Sequence, residues 1–113
     1  MNQTLPFSSK SISLGNEIFS IQILKFDNGY FVSVSQGPEK IGSLVASISG
    51  GPVPTTTTII PSKNNFLFSK LISEQISDKI KGIALVSTFL NKELEISTGK
   101  ALMLEILEMI QND

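Results

Sequence analysis

Residues 42–61, GSLVASISGGPVPTTTTIIP, constrain the fold of this chain more than any other stretch. Small and apolar residues alternate over 41–48, which predicts a strand with Leu44, Ala46 and Ile48 on one side and Ser43, Val45 and Ser47 on the other. Two glycines and two prolines over 49–54 interrupt any ladder, because proline has no backbone N–H to donate. The β-branched run at 55–60 predicts a further strand, which Pro61 ends. Two strands so close together, with a break that continues neither helix nor ladder, commit the chain to a sheet.

The flanking segments extend that sheet and add helices. Residues 9–14 predict a first strand ending at the Gly15-Asn16 turn signal, after a loosely held arm over 1–8. A long strand at 17–26 carries apolar residues on both faces. Asp27-Asn28-Gly29, residues that tolerate positive φ, predict a tight hairpin turn into a strand at 30–35. Beyond Pro61, Asn64 or Asn65 can cap a helix in which Phe68, Ile72, Ile76 and Ile80 recur at i+4, with Leu67 and Leu71 beside them and Gly82 suited to its stop. Residues 83–90 are almost wholly apolar, as a central strand covered on both sides requires. A last helix follows the turn at 91–96 and runs to about residue 111. With 113 residues, 41% of them hydrophobic, the chain forms one domain over 1–113 with a real core. The expected fold is α+β: a single, mainly antiparallel six-stranded sheet with two helices on one face.

Composition narrows the chemistry. The chain has no cysteine and no histidine, which removes disulfides, thiolate nucleophiles, the usual general base and the commonest metal ligand. Its basic residues are nine scattered lysines against ten acidic residues, so no electropositive field awaits a phosphate backbone. MNQTLPFSSK lacks a basic and apolar leader pattern, and Glu105 and Glu108 interrupt the most apolar helix. The expectation is a soluble cytoplasmic protein without nucleic-acid or membrane partners, and the Asn2-Gln3-Thr4 acceptor pattern has no secreted context to give it meaning.

No motif assembles an active site. Ser97 and Lys100 match S-x-x-K, but the companion motifs of hydrolases that use it are missing, and a capping serine followed by a surface lysine accounts for the pair. Thr98-Gly99-Lys100-Ala101 lacks the first glycine and the hydroxyl of a phosphate loop. Glu105 and Glu108, at i and i+3, fit the solvated face of an amphipathic helix. Asp27-Asn28-Gly29 lacks the later ligands of a calcium loop. Phe66, Leu67 and Phe68 form either core or an exposed anchor, and core is the commoner use of such a cluster. Catalytic, cofactor-binding and metal-binding residues are therefore expected to be absent, and the chain is read as a non-enzyme.

The hairpin, GSLVASI, PVPTTTTII, FLFSKLISEQISDKI, GIALVSTF and the final ALMLEILEMI together resemble the proteasome assembly chaperone 3/4 family, closer to chaperone 4. The resemblance spans nearly the whole chain, and each matching feature is a hydrophobic pattern. It implies a cofactor-free protein that pairs sheet to sheet with a related chaperone 3-like subunit, or with itself, and helps proteasome α-type subunits assemble into their ring. A small roadblock- or longin-like dimerisation scaffold would share the α+β plan, but such domains usually lead with a helix or place one between early strands.

A single sheet with helices on one face leaves its other face to water or a partner. Alternation predicts that Val32, Val34, Leu44, Ala46 and Ile48 face the helices. Phe31, Ser33, Ser35, Val45 and Ser47 would then form the dimer interface, so that Val45→Asp should disrupt pairing and Leu44→Asp should unfold the chain. Two loops rich in turn residues, with Gly37, Pro38, Glu39 and Lys40 in one and Gly50, Gly51 and Pro52 in the other, are the expected target contacts.

Overall fold

The computed structural model describes residues 7–111. The chain runs β1 (Phe7–Leu14), β2 (Glu17–Phe26), β3 (Gly29–Gln36), β4 (Ser43–Ile48), β5 (Thr55–Ile60), α1 (Phe66–Ile80), β6 (Ile83–Phe89) and α2 (Ile96–Gln111). All six strands join one sheet in the order β1-β2-β3-β6-β4-β5. The β3–β6 pair is parallel and every other pair antiparallel, so the α+β expectation holds with one parallel seam. Of the arm expected over 1–8, residues 1–6 lie outside the described residues, and Phe7 and Ser8 already belong to β1.

The β2–β3 hairpin forms where expected, Phe26 opposite Gly29, but neither Asp27 nor Asn28 takes a positive φ. Gly29 is needed for space instead. A Cβ there would run into the carbonyl of Ile83 on β6, and one on Gly82 would meet the carbonyl of Asn28. The backbones close at this point, with Ile83 N–H donating to Asn28 O at 2.9 Å. The left-handed residue that stops α1 is Lys81, at φ 55°, and not Gly82. Asn65 stands at the start of α1 without capping it through its side chain. Its amide instead bridges to the β6–α2 connection, donating to Lys92 O at 2.9 Å and accepting from Leu94 N–H at 2.8 Å.

Both helices pack on one face of the sheet, and the shortest dimension of the molecule, 22 Å, is that of two layers. α2 covers the β1–β3 side with Leu102, Ile106 and Ile110, spaced at i+4, against Phe19, Ile21 and Ile23 of β2 and Val32 and Val34 of β3. Lys10 of β1 pairs with Glu105 of α2 over this region. α1 covers β6 and β4 and reaches β5. It buries two adjacent stripes, Phe68-Ile72-Ile76 and Ser69-Ser73-Ser77, and Ser69 and Ser73 meet hydroxyls from the strands below.

Candidate functional site

The face turned away from the helices is the largest functional feature, and the pairing register fixes what it displays. Phe7, Leu24, Phe31, Leu85, Ala46 and Thr57 stand opposite one another in succession across all six strands. One row closer to the Asp27-Asn28 turn, Phe26, Ile83 and Ile48 add to this apolar band. The next rows toward the other end read Ser9-Gln22-Ser33-Ser87-Leu44-Ile60 and Ser11-Ser20-Ser35-Phe89. On β1–β3 one end of the face is therefore apolar and the other hydroxyl-bearing, while on β4–β6 Leu44, Ile60 and Phe89 carry apolar side chains into these rows. Phe7, Leu24, Phe26 and Ile48 are exposed at 37–57%, while Phe31, Leu85, Ile83 and Ala46 are half-buried among their neighbours. Apolar side chains gathered in one band, and not scattered, mark a surface that gains free energy by leaving water.

Three of the five residues expected on this face lie there. Phe31 and Ser33 are half-buried, and Ser35 is sealed beneath the β3–β4 connection. That connection crosses the hydroxyl end: Ser35 Oγ donates to Lys40 O at 3.5 Å, Gly42 N–H donates to Ser87 Oγ at 3.2 Å, and the Lys40 ammonium sits 5.4 Å from the centre of the Phe89 ring. Cation–π attraction of this kind contributes roughly 0.5–1 kcal/mol at an exposed site.

Val45 and Ser47 belong to the other face, which corrects the expectation for β4. Val45 is 1% exposed and pairs with Val86, and Ser47 shares a hydrogen bond of 2.8 Å with Ser73 of α1. Ser43 likewise bonds Thr88, whose hydroxyl meets Ser69 of α1 at 3.2 Å. The more apolar set of β4, Leu44, Ala46 and Ile48, consequently points outward. Hydrogen-bonded hydroxyls are as acceptable inside as methyl groups, so hydrophobicity alone gave this strand the wrong phase.

The two expected target loops sit at opposite ends of the sheet. Gly37, Pro38, Glu39 and Lys40 are exposed beside the hydroxyl rows. Gly50, Gly51 and Pro52 are exposed beside the apolar band, where Ser49 N–H bonds Gly82 O at 3.1 Å. Leu24, Phe26, Leu85 and Ile48 went unrecognised in the sequence. A two-residue hairpin turn at Asp27-Asn28 dictates that Leu24 stands opposite Phe31, so the β2 share of the band was derivable from that turn.

No catalytic constellation forms around the remaining motif residues. Ser97 and Lys100 are exposed and share no hydrogen bond. Ser97 is not the cap: Gly99 N–H bonds Glu95 O at 2.9 Å, so Ser97 lies inside the first turn of α2. Glu105 departs from the solvated reading because it pairs with Lys10, and this bond raises the lysine pKa above its ordinary value. Glu108 is exposed as expected. Among the described residues no group of three or more His, Cys, Asp or Glu could hold a metal, and no helix is long and apolar enough to cross a membrane.

No family model and no curated protein matches the sequence. Among solved structures the fold is similar to a chain described as part of a novel chaperone complex for yeast 20S proteasome assembly. That likeness has a TM-score of 0.68 and covers 95% of this chain and 97% of the other, at 10% sequence identity. It establishes a shared architecture over both chains nearly end to end.

Proposed function

We propose that this chain is a proteasome assembly chaperone subunit that pairs with a related chain through its uncovered sheet face. The pair then binds a proteasome α-type subunit and assists assembly of the α-ring. The observation that carries this reading is the apolar band of Phe7, Leu24, Phe31 and Leu85, on a fold similar along its whole length to a component of a proteasome assembly complex.

Stacking the band against a like sheet removes its apolar area from water at roughly 25 cal/mol per Å2, and aligned sheets pack face to face about 10 Å apart. The serines of β1–β3 and the Lys40 connection form a polar rim for such a contact. The loop of Gly50, Gly51 and Pro52 borders the band and so belongs with the paired chain. Gly37, Pro38, Glu39 and Lys40, at the far end, are left for the target. Pairing of this kind needs no cofactor and takes place in the cytoplasm.

Affinity purification of the tagged chain from its native cells, with mass spectrometry of what accompanies it, tests the assignment. A related small chain and a proteasome α-type subunit are expected together, and recovering neither refutes it. Leu85→Asp, half-buried on the uncovered face, should release the related chain while the far-ultraviolet dichroism of the variant stays that of the folded protein.

A further inference from the structure

The outer side of the helix layer carries a second apolar surface, separate from the sheet. Phe66, Leu67 and Phe68 divide at the start of α1: Phe68 enters the core, whereas Phe66 and Leu67 are 43% and 64% exposed. Leu71, one turn on from Leu67, is 40% exposed, and Ile96 at the start of α2 is 79% exposed. With Met103 these side chains line a groove of about 540 Å3 between the N-terminal halves of the two helices. Gly99 lies at its floor, where a Cβ would come into ordinary contact with Phe68 at 3.6 Å. Apolar residues on the outward stripe of an amphipathic helix contribute nothing to its own core packing, so their clustering points to something that covers them.

Charge limits what that is. Glu93 and Glu95 border the groove on the β6–α2 connection, and neither carboxylate takes part in an ion pair or hydrogen bond among the described residues. Lys100 is the one basic residue in the lining. The walls are two helices, and Leu67 and Leu71 are spaced by one helical turn, which suits side chains of a third helix at the same spacing. From these features we infer that the groove docks an amphipathic helix of a partner protein, with apolar residues one turn apart on one face and a lysine or arginine at the end that meets Glu93 and Glu95. The site lies across the helix layer from the uncovered sheet face, so both surfaces can be occupied together.

Fluorescence anisotropy with two synthetic probes tests this on the full chain. One is an amphipathic helical peptide with leucines along one face and two lysines at one end; the other carries glutamates in place of the lysines. The lysine probe should bind at least about tenfold more tightly, the size of a charge contact worth about 1.4 kcal/mol. Glu93→Lys with Glu95→Lys should reverse that preference. Leu67→Asp and Ile96→Asp, both at exposed positions, should abolish binding without changing the dichroism. Leu85→Asp, on the sheet, should leave peptide binding unchanged, which separates this site from the pairing face. Equal affinity for the two probes, binding of neither, or insensitivity to Leu67→Asp overturns the proposal. So does a concentration-dependent self-association that Leu67→Asp removes, which would assign the groove to a second copy of the chain.

Discussion

Beneath α2 the covered face is aliphatic, and beneath α1 it is threaded with hydroxyls. Leu102, Ile106 and Ile110 meet Phe19, Ile21 and Val34 through dispersion and burial alone, forces that favour contact without dictating direction. Ser69 meets Thr88 and Ser73 meets Ser47, and Ser47 in turn bonds Thr56 of β5 at 2.8 Å. Each such bond contributes only about 1 kcal/mol net, yet each fails if its partner is displaced. The α2 half therefore supplies cohesion, and the α1 half fixes how β4 and β6 are turned. The outward set of β4, Ile48 included, follows from the choice made on its inner side.

The largest expected effect breaks the assignment of faces. Val45→Asp places a carboxylate at a fully buried position, between Val86 of β6 and Thr58 of β5 in the sheet. Its cost of at least about 3–5 kcal/mol approaches the whole stability of a small domain, so the variant should lack native dichroism. Ile48→Asp, three residues on but 53% exposed, should fold. A folded Val45→Asp with an unfolded Ile48→Asp would restore the opposite orientation of β4.

Next comes the aliphatic half alone. Ile106→Ala, at a position with no exposure, should lower the unfolding free energy by about 3 kcal/mol through lost burial and the cavity left behind. Urea denaturation should show a shifted midpoint at unchanged slope. A loss below about 1 kcal/mol would mean that α2 repacks freely and is not a close-packed partner of β2.

A double-mutant cycle sharpens the hydroxyl half. Ser47→Ala or Ser73→Ala alone should each cost about 1–2 kcal/mol, because each leaves a buried hydroxyl with one partner fewer. The double variant should cost less than their sum, since the second substitution removes the group that the first left wanting. Strict additivity would show that the two hydroxyls do not act on each other.

This division also explains how far the sequence could be read. On β3 the apolar period of Val32 and Val34 matches the buried face, so both were assignable and the hairpin turn fixed their partners on β2. On β4 the period points the wrong way, because Ser47 is buried against Ser73 of α1, 26 residues away in sequence, and Ser43 against Thr88 of β6, 45 residues away. In the FLFSKLISEQISDKI helix the apolar period picks out Phe68, Ile72 and Ile76, and only the fold shows that Ser69, Ser73 and Ser77 go inward beside them. Asn65 misled in the same way: its amide was spent on Lys92 and Leu94, a contact that no local pattern announces. The proposed pairing partner and target belong to other chains, and in the sequence they were implied by the family resemblance and not by any single residue.

The smallest expected effect tests where the hydroxyl network reaches the surface. Thr56 accepts from Ser47 and donates to Glu74, whose carboxyl is held below its ordinary value of 4.5, first by this bond and then by Lys70 at 3.0 Å. Partial burial opposes the shift without reversing it. A depressed folded-state pKa means that the ionised form favours folding, so this contribution is complete well above 4.5 and is lost as pH falls through the folded value. Thr56→Val keeps the shape of the side chain and β-branching but removes the hydroxyl, and Ser47 retains Ser73 as a partner. The variant should therefore be less stable than the parent by no more than about 1 kcal/mol near neutral pH, with the gap narrowing in acid as Glu74 becomes protonated in both proteins. Thermal unfolding of parent and variant from neutral to acid measures this gap. A gap that stays constant across the carboxylate range would detach Glu74 from the network and confine the hydroxyl half to Ser47, Ser73, Ser69 and Thr88 in the interior.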